Sequence, residues 1–387
     1  MSQLVDVLLC KMHDEQTTAD DDEVSFQRRP GESEASVADR LSAAFDAVKA
    51  RPDVGTLFEE AESLSLDADL LTEVVEVLQP FELTNAGRDV IGEAFEAFMG
   101  PSLRGNEGQF FTPRNVVDLT CEIVNPRPGE IVVDPACGTG GYLTQAMRHG
   151  GGDQPTVFGI DKDCFLARVA AVQLGLLRRE TESWAFCANA LAPPLEWPTP
   201  LYRRVAPGSV DVVMTNPPFG SKISVGGHVL DQYQLGKTWK ANKKTGRWDQ
   251  LSKSAKNRPP QILFIERCLD LLKPGGRLAA VLPDGVLGNH SAGYVRAYIQ
   301  NLADVVGIVD LPLETFLPST STKTSLLVLR KRHPDVHQEE VFMGIADTCG
   351  HDRRGNPITR DDGVPDDHLP LVGERFKEWS RAYAEDF

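Results

Sequence analysis

Apolar residues recur with helical spacing over the N-terminal part of the chain. They stand three or four positions apart at Leu4, Val5, Leu8, Leu9 and Met12. The same spacing returns within residues 36–50, 70–78 and 91–99, and it predicts amphipathic helices. Residues 17–23 are acidic and polar, so a loop is expected there. We therefore predict an all-helical N-terminal domain over residues 1–105.

From residue 106 onward, short β-branched and aromatic runs alternate with helical segments. The predicted strands cover residues 131–133, 156–160, 184–187, 210–214, 277–282, 305–310, 324–330 and 340–346. The predicted helices cover residues 116–123, 166–177, 262–272 and 293–301. This alternation predicts a largely parallel sheet with helices on both faces. No long helix separates 305–310 from 324–330, which predicts an antiparallel hairpin at the sheet edge.

The same patterns set the domain boundaries. The α/β domain is expected to span residues 106–347. Residues 348–387 form a C-terminal tail, in which 348–367 is a polar loop and 369–383 is a helix.

A glycine-rich turn follows the first predicted strand. Its sequence is Asp134-Pro135-Ala136-Cys137-Gly138-Thr139-Gly140-Gly141. A strand, a glycine turn and a helix start place backbone N–H groups and a positive helix end beside a ligand, and glycine lets that ligand approach closely. Asp161 ends the second strand, where an acid can bind ribose hydroxyls. Taken alone, the glycine turn is also consistent with an ordinary strand-to-helix connection that binds no ligand.

Three motifs occur in a fixed order along the chain. They are Gly108-Gln109-Phe110-Phe111-Thr112-Pro113, the glycine turn, and Asn216-Pro217-Pro218-Phe219. In this order they resemble the amino-group DNA methyltransferases, most closely the modification subunits of type I restriction-modification systems. The resemblance runs from about Leu4 to near Asp347. It implies a Rossmann-like class I methyltransferase fold of the α/β class, with a seven-stranded mixed sheet, helices on both faces and an additional N-terminal all-helical domain.

The resemblance also implies S-adenosyl-L-methionine as the cofactor. The residues that match the family's cofactor-binding positions are Phe111, Thr112, Asp134, Ala136, Gly138, Thr139, Gly140, Asp161 and Asn189. In the family, the loop that holds Phe111 and Thr112 touches the methionine end of the cofactor, and the strand end at Asn189 lies against its adenine. The residues alone leave simpler roles open. Thr112 can cap the helix whose first turn holds Pro113, Asn189 can be a turn residue, and the position of Asp161 suits NAD equally well.

The motif Asn216-Pro217-Pro218-Phe219 suits chemistry on the exocyclic amine of a base. Such an amine is a poor nucleophile because its lone pair is delocalised into the ring. If the Asn216 side-chain oxygen and the Pro217 carbonyl accept its hydrogens, the nitrogen is drawn toward tetrahedral geometry. Pro217 and Pro218 stiffen the backbone, and Phe219 offers an aromatic face to the base. Positioning is then the main catalytic effect, once the base has left the duplex.

The net charge of −16 is unusual for a protein that binds DNA, because phosphate contacts require lysine and arginine. Residues 220–258 are the exception, since basic residues outnumber acidic ones there and Tyr233, Trp239 and Trp248 are interleaved. A long basic loop is predicted for this segment. The residues assigned to DNA contact are Lys222, Lys240, Lys243, Lys244 and Arg247. A solvated charged loop is the alternative.

The amino-acid sequence also bears on whether the chain is a membrane, secreted, disulfide-rich or metal-binding protein. The 387 residues are 41% hydrophobic and 25% charged, which is ordinary for a globular protein. There is no apolar run of about 18 residues, so no membrane span is expected, and the start lacks the features of a signal peptide. A cytoplasmic protein is therefore expected. The seven cysteines are scattered without a CxxC pair, which indicates neither a disulfide framework nor a zinc site, and no metal is implied.

Together these features predict an adenine-N6 DNA methyltransferase that acts on double-stranded DNA with a flipped adenine. Asparagine at the first position of its motif favours adenine N6 over cytosine N4. The chain is expected to be the modification subunit of a type I-like restriction-modification or phage-defence system. Expected partners are a specificity subunit, a second copy of the chain and a restriction subunit. Two alternatives remain: a methyltransferase for another amine or amide, such as protein glutamine or an RNA base, and a catalytically silent scaffold.

Overall fold

The computed structural model of the chain describes residues 2–19, 22–51, 54–83, 111–149, 153–177, 183–219, 224–334, 339–384 and 387. The predicted helix at 91–99, residues 108–110 of the first motif and Lys222 lie outside the described residues. None of the helices in the described ranges is long and apolar enough to cross a membrane.

The described N-terminal region is helical, as its apolar spacing predicts. Its helices are α1 (Ser2–Thr17), α2 (Glu34–Lys49) and α3 (Ala68–Leu78). Ser33 caps α2 by accepting a hydrogen bond from the Ser36 N–H at 3.3 Å, which satisfies a donor that the first helical turn leaves open. Phe26 belongs to a small core between these helices. Val5 and Leu9 of α1 instead join the main core of the molecule, so the two regions share buried surface.

Arg168 ties the N-terminal helices to the α/β domain. Its guanidinium donates hydrogen bonds to Asp6 at 3.2 Å, to Glu62 at 2.6 Å and to the Leu57 carbonyl at 2.8 Å. It also lies over the Phe58 ring, 4.3 Å from the centroid. Asp6 is fully buried, and removal of one partner from such a pair costs about 3–5 kcal/mol. This contact therefore fixes how the N-terminal helices sit on the domain.

The main sheet within the described residues has eight strands: β1 (Ile131–Asp134), β2 (Thr156–Asp161), β3 (Trp184–Cys187), β4 (Val210–Thr215), β9 (Leu272–Pro283), β10 (Ala303–Asp310), β11 (Thr324–Lys331) and β12 (Phe342–Ile345). Their order across the sheet is β12-β10-β11-β9-β4-β1-β2-β3. The first four run parallel, and β11 runs antiparallel to both β9 and β10. The predicted parallel sheet and antiparallel hairpin are confirmed.

Helices flank the sheet, and those between α4 and α11 lie in the connections between strands. They are α4 (Arg114–Val124), α5 (Gly141–His149), α6 (Cys164–Leu177), α7 (Thr199–Arg204), α8 (Pro260–Leu271), α9 (Asp284–Gly288), α10 (Gly293–Leu302) and α11 (Leu369–Tyr383). Helix α6 is buried along almost its whole length, because α1 covers the face that α5 and the sheet leave open.

The sheet has one strand more than the seven that the family resemblance implies, because the strand predicted at 340–346 is present as β12 and extends the sheet at its edge. It pairs parallel with β10, and Met343 lies opposite Ile308. The tail helix α11 covers one face of the added strand, where Phe342 packs against Phe376 at 5.3 Å and against Trp379 at 5.7 Å. These aromatic contacts with α11 cover one face of β12.

The described residues 224–258 do not form the long loop that the polarity of this segment predicts. The described part holds strands β5 (Val225–Gly226), β6 (Lys237–Ala241), β7 (Trp248–Ser254) and β8 (Asn257–Arg258). Strands β6 and β7 form an antiparallel hairpin. Trp239 and Trp248 anchor it, since each ring centroid lies 6.0 Å from that of Tyr294 on α10. The two tryptophans supply the apolar surface that the surrounding lysines lack.

One disulfide corrects the expectation drawn from the scattered cysteines. Cys164, at the start of α6, is bonded to Cys187, at the end of β3, with a Cα–Cα distance of 4.8 Å. The two residues are 23 positions apart, so spacing gave no sign of the bond. They meet because β2 and β3 are adjacent parallel strands whose carboxyl ends lie side by side.

Candidate functional site

A cavity of about 1130 Å³ opens at the carboxyl ends of β1, β2, β3 and β4. Ligands of open α/β sheets bind at this edge. The wall contains most of the predicted site residues: Phe111, Thr112, Asp134, Ala136, Gly138, Thr139, Asp161, Asn189, Asn216, Pro217, Pro218 and Phe219. The glycine turn and the Asn216–Phe219 motif, 78 positions apart when counted from Gly138 to Asn216 (216 − 138), therefore face one space.

The glycines of the turn have two different roles. Gly138 has a φ of +52°, and a Cβ built on it meets no heavy atom within 4 Å, so any side chain there would enter the open cavity. Gly140 has a φ of +92°, and a Cβ there would come within 3.2 Å of the Ala170 side chain on α6. Gly140 does not line the cavity. Because it has no side chain, Gly140 allows the turn to pack closely against α6, and it does not contact the cavity itself.

Asp134 closes the end of β1 and is 2% exposed. Its carboxylate accepts a hydrogen bond from the Ala136 N–H at 3.0 Å, which shapes the start of the turn. Burial raises the pKa of Asp134 to about 7, although the Ala136 N–H and the Thr215 hydroxyl oppose this rise. The neighbouring Cys137 is also buried, and burial raises the pKa of its thiol well above the usual value. This fits a packing residue rather than a nucleophile.

Asp161 joins the end of β2 to the glycine turn. One carboxylate oxygen accepts from the Gly138 N–H at 2.9 Å and the other from the Asp163 N–H at 2.9 Å. Burial raises the pKa of Asp161, and the two N–H groups oppose that rise. The carboxylate thus holds the turn open while lying in the cavity wall.

Asn189 occupies the end of the third strand, as predicted, and its side chain makes a turn. Its amide oxygen accepts from the Leu191 N–H at 3.0 Å, and its carbonyl accepts from the Trp197 indole at 3.0 Å. The residue is exposed and lines the cavity. Asn189 is therefore both a turn residue and part of the cavity wall.

Thr112 does not cap the following helix. Pro113 is the N-cap residue of α4, and the cap makes no side-chain hydrogen bond. The helix starts one residue later than expected, because Pro113 has a ψ of 143°, outside the helical range. The Thr112 hydroxyl instead accepts a hydrogen bond from the side-chain amide of Asn216 at 3.1 Å.

Phe219 is a buried member of its motif. Its ring meets the ring of Phe316 edge to face, with centroids 6.2 Å apart, and 1% of the residue is exposed. Phe316 comes from the turn Leu313–Phe316 after β10. The expected aromatic face is therefore packed into the wall in this structure.

Residues that sequence reasoning did not single out also line the cavity. Tyr142 stands directly after the glycine turn, and Gln173 lies on α6. Both are almost fully buried. Tyr142 could have been found from its position at the start of the helix, whereas nothing local marks Gln173. Within the described ranges, no cluster of three or more histidine, cysteine or acidic side chains could hold a metal ion.

The predicted DNA-binding residues that the structure describes are not part of the cavity wall. Lys240 on β6 and Lys243, Lys244 and Arg247 in the turn of the hairpin are all exposed. The anchoring contacts of Trp239 and Trp248 leave these side chains on the outer end of a folded arm. The basic charge is thus held on a folded hairpin rather than on a free loop.

The sheet, its helices and the cavity define a Rossmann-like class I methyltransferase fold. The family model described as N-6 DNA Methylase matches residues 86–368. The chain therefore belongs to the N-6 DNA methylase family.

Curated relatives agree with this family. The chain is 27% identical over 292 residues to the methylase subunit of the type I restriction enzyme EcoEI from Escherichia coli, which covers 72% of this chain and 54% of that protein. It is 26% identical over 259 residues to the EcoKI methylase subunit of Escherichia coli K12, covering 63% and 45%. The chain spans about half the length of the curated relatives it matches.

Solved structures show the same fold. A chain from a study of the assembly of the type I restriction-modification system aligns with a TM-score of 0.70 at 21% identity, covering 98% of this chain and 78% of that one. The methyltransferase subunit of a type I system from Streptococcus thermophilus aligns with a TM-score of 0.64 at 20% identity, covering 89% and 71%. Identities this low carry the fold alone.

Proposed function

We propose that the chain transfers a methyl group from S-adenosyl-L-methionine to N6 of adenine in double-stranded DNA. The observation that carries the proposal is the single cavity shared by the glycine turn and the Asn216–Phe219 motif. A donor held by one motif can then face a base held by the other, which is the arrangement that a transfer between two bound groups requires.

The cavity wall fits the proposed cofactor. Gly138 leaves open space where a side chain would stand, and its neighbours supply backbone groups near the start of α5. Asp161 and Asn189 would hold the ribose and adenine, and Phe111 and Thr112 the methionine end. When bound, S-adenosyl-L-methionine supplies an electrophilic methyl group on a positively charged sulfur.

The motif after β4 would hold and activate the base. The Asn216 side-chain oxygen and the Pro217 carbonyl accept hydrogen bonds from the adenine amine and draw its lone pair out of conjugation. Pro217 and Pro218 keep these acceptors in place, because both φ angles are fixed. Phe219 is the candidate for stacking on the base, and its ring must turn away from Phe316 to expose a face.

The β6–β7 hairpin would bind the DNA backbone. Lys240, Lys243, Lys244 and Arg247 are exposed on one anchored arm, in a chain whose net charge is −16. Phosphate contacts favour such a concentrated basic element. Lys222 belongs to the same proposal by its place in the sequence.

The chain would act as the modification subunit of a type I-like restriction-modification or phage-defence system. The names of its relatives support this role. We expect a specificity subunit to choose the sequence, a second copy of the chain to act on the other strand, and association with a restriction subunit. A cytoplasmic location follows from that role.

The experiment measures cofactor binding and methyl transfer separately. The purified chain, alone and with chains that co-purify from its source, is titrated with S-adenosyl-L-methionine by calorimetry. It is then given duplex DNA and methyl-labelled cofactor. Label in N6-methyladenine supports the proposal. Cofactor binding with label in protein, RNA or cytosine contradicts it, and binding without any transfer favours a silent scaffold.

A further inference from the structure

The Cys164–Cys187 disulfide lies beside the part of the cavity where the cofactor is proposed to bind. Cys164 is itself a residue of the cavity wall. Cys187 is the register partner of Asp161 where β2 pairs with β3, and it stands two residues before Asn189. Asp161 and Asn189 are the proposed contacts for ribose and adenine. The bond therefore joins the two chain segments that carry these contacts, one after β2 and one after β3.

The segment after β2 is held by hydrogen bonds that begin at Asp161. One Asp161 carboxylate oxygen accepts from the Asp163 N–H at 2.9 Å. The Asp163 carboxylate accepts in turn from the N–H groups of Phe165 at 3.0 Å and Leu166 at 3.4 Å. These two groups belong to the first turn of α6, so Asp163 caps the helix that begins at Cys164. A restraint on Cys164 therefore also restrains Asp161.

The segment after β3 is joined to this edge by a hydrogen bond as well as by the disulfide. The Ala188 N–H donates to the Asp161 carbonyl at 2.9 Å, which continues the strand pairing by one residue. Asn189 follows and is exposed. Reduction of the disulfide leaves the Ala188 hydrogen bond and the strand pairing in place. It should therefore loosen the wall near Asn189 without unfolding the domain.

The two bonded cysteines differ from the other five in exposure. Cys164 and Cys187 are partly exposed. The free cysteines are all buried, and they are Cys10, Cys121, Cys137, Cys268 and Cys349. A reductant can therefore reach the disulfide while the fold shields the remaining thiols, and exposed disulfides are the labile and regulatory ones. In the cytoplasm, which the proposed function implies, thiols are kept reduced and a disulfide that forms is usually transient.

We propose that Cys164 and Cys187 form a redox-sensitive modification site that sets the affinity of the chain for S-adenosyl-L-methionine, with the disulfide form binding more tightly. This role rests on the proposed function, because it takes the cofactor to lie against Asp161 and Asn189. In the disulfide form the two segments are already restrained, so less conformational freedom is lost when the cofactor binds.

A dithiol is the co-reactant for the reduction. One thiolate of the dithiol attacks the Sγ of Cys187, which lies outside the cavity wall. The S–S bond breaks, and Cys164 leaves as a thiolate that takes up a proton. The second thiol of the dithiol then attacks the mixed disulfide and releases Cys187 as a thiol. Two electrons and two protons pass to the protein, the dithiol becomes a disulfide, and oxidation by such a disulfide reverses both steps.

Calorimetric titration with S-adenosyl-L-methionine tests the proposal on four samples. They are oxidised wild type, wild type reduced with dithiothreitol and desalted under nitrogen, and Cys187→Ser with and without the same treatment. We expect reduction to weaken cofactor binding by about tenfold. Cys187→Ser should bind as reduced wild type does and should not respond to dithiothreitol, which excludes the buried thiols as the cause.

A redox titration gives a second readout that needs no variant. Because linkage is reciprocal, saturating cofactor must favour the disulfide by the same factor by which the disulfide favours the cofactor. A tenfold effect lowers the midpoint potential of the cysteine pair by about 30 mV. Alkylation of free thiols in dithiothreitol redox buffers, followed by mass spectrometry of the peptides that hold Cys164 and Cys187, measures this shift.

The outcomes separate the redox site from the proposed function. Oxidised wild type that binds no S-adenosyl-L-methionine would overturn both. Equal affinities of oxidised and reduced wild type, or a midpoint potential that the cofactor does not change, would overturn the redox site alone. If reduced wild type loses its far-UV circular dichroism at room temperature, the bond is a structural brace, which also overturns it. If Cys187→Ser does not fold, reduced wild type and the redox titration decide.

Discussion

The Gly138 N–H donates a 2.9 Å hydrogen bond to the Asp161 carboxylate. Through this bond the end of β2 shapes the glycine turn that follows β1. A single acid therefore both organises the turn and stands in the cavity wall where ribose hydroxyls are expected. Loss of this side chain should disturb cofactor binding by two routes at once.

Asp161→Ala should weaken the binding of S-adenosyl-L-methionine by about 10- to 100-fold, since it removes the acceptor of the Gly138 and Asp163 N–H groups and a charged acceptor from the cavity wall. Calorimetric titration measures this change. Asp153→Ala, at an exposed acid outside the cavity wall, should bind the cofactor as wild type does. Equal affinities in the two variants would remove Asp161 from the proposed cofactor site.

Asp134 should make stability depend on pH. Burial raises its pKa from 3.8 to about 7, so the folded chain keeps a proton that the unfolded chain loses. The stability that this bound proton contributes is fully present below pH 3.8 and is lost as the pH rises through about 7. Urea unfolding of wild type and Asp134→Asn at about pH 5.5 and about pH 8.5 isolates this effect. The excess stability of wild type over the variant should shrink at the higher pH, whereas a constant difference would contradict the assignment.

The Cys164–Cys187 bond should stabilise the cofactor end of the fold. It closes a sequence separation of 23 residues, for which loop entropy predicts about 3 kcal/mol. Cys187→Ser should lower the free energy of unfolding by roughly that amount under non-reducing conditions. A reducing agent should bring wild type to the level of the variant and leave the variant unchanged. If the reductant lowers both proteins equally, the bond is not the source of the difference.

The basic hairpin should determine the salt dependence of DNA binding. Lys244→Ala removes one exposed charge at its tip, so the slope of log K against log salt should fall by about 0.9. Arg381→Ala removes an exposed charge from the last turn of α11 and serves as the matched control. Fluorescence anisotropy across a salt series gives both slopes. A larger change for Arg381 than for Lys244 would place the DNA elsewhere.

The sequence predicted the elements that carry local patterns. Tail helix α11 begins and ends at the expected residues, Leu369 and Tyr383, because a polar loop precedes it and its apolar face is regular. The glycine turn and the Asn216 motif were singled out from their own sequences and the family resemblance, and they line one cavity because parallel strands bring their carboxyl ends to one edge.

Features that depend on contacts distant in sequence were not predictable. The hydrogen bond between Thr112 and Asn216 joins two motifs, and neither motif alone reveals it. The burial of Phe219 depends on Phe316, which lies beyond β10. The fold of the basic segment depends on packing against Tyr294 of helix α10. The polar composition of the segment does not reveal this contact, and it therefore indicated a loop.

The central claim is tested most directly in the source organism, where any partner chains are present. A chromosomal Asn216→Ala substitution is compared with a synonymous change at the same codon, and the genome of each strain is sequenced for modified bases. The account predicts that N6-methyladenine disappears from a defined sequence motif only in the Asn216→Ala strain. Unchanged adenine methylation in that strain, with the protein still present and folded, would contradict it.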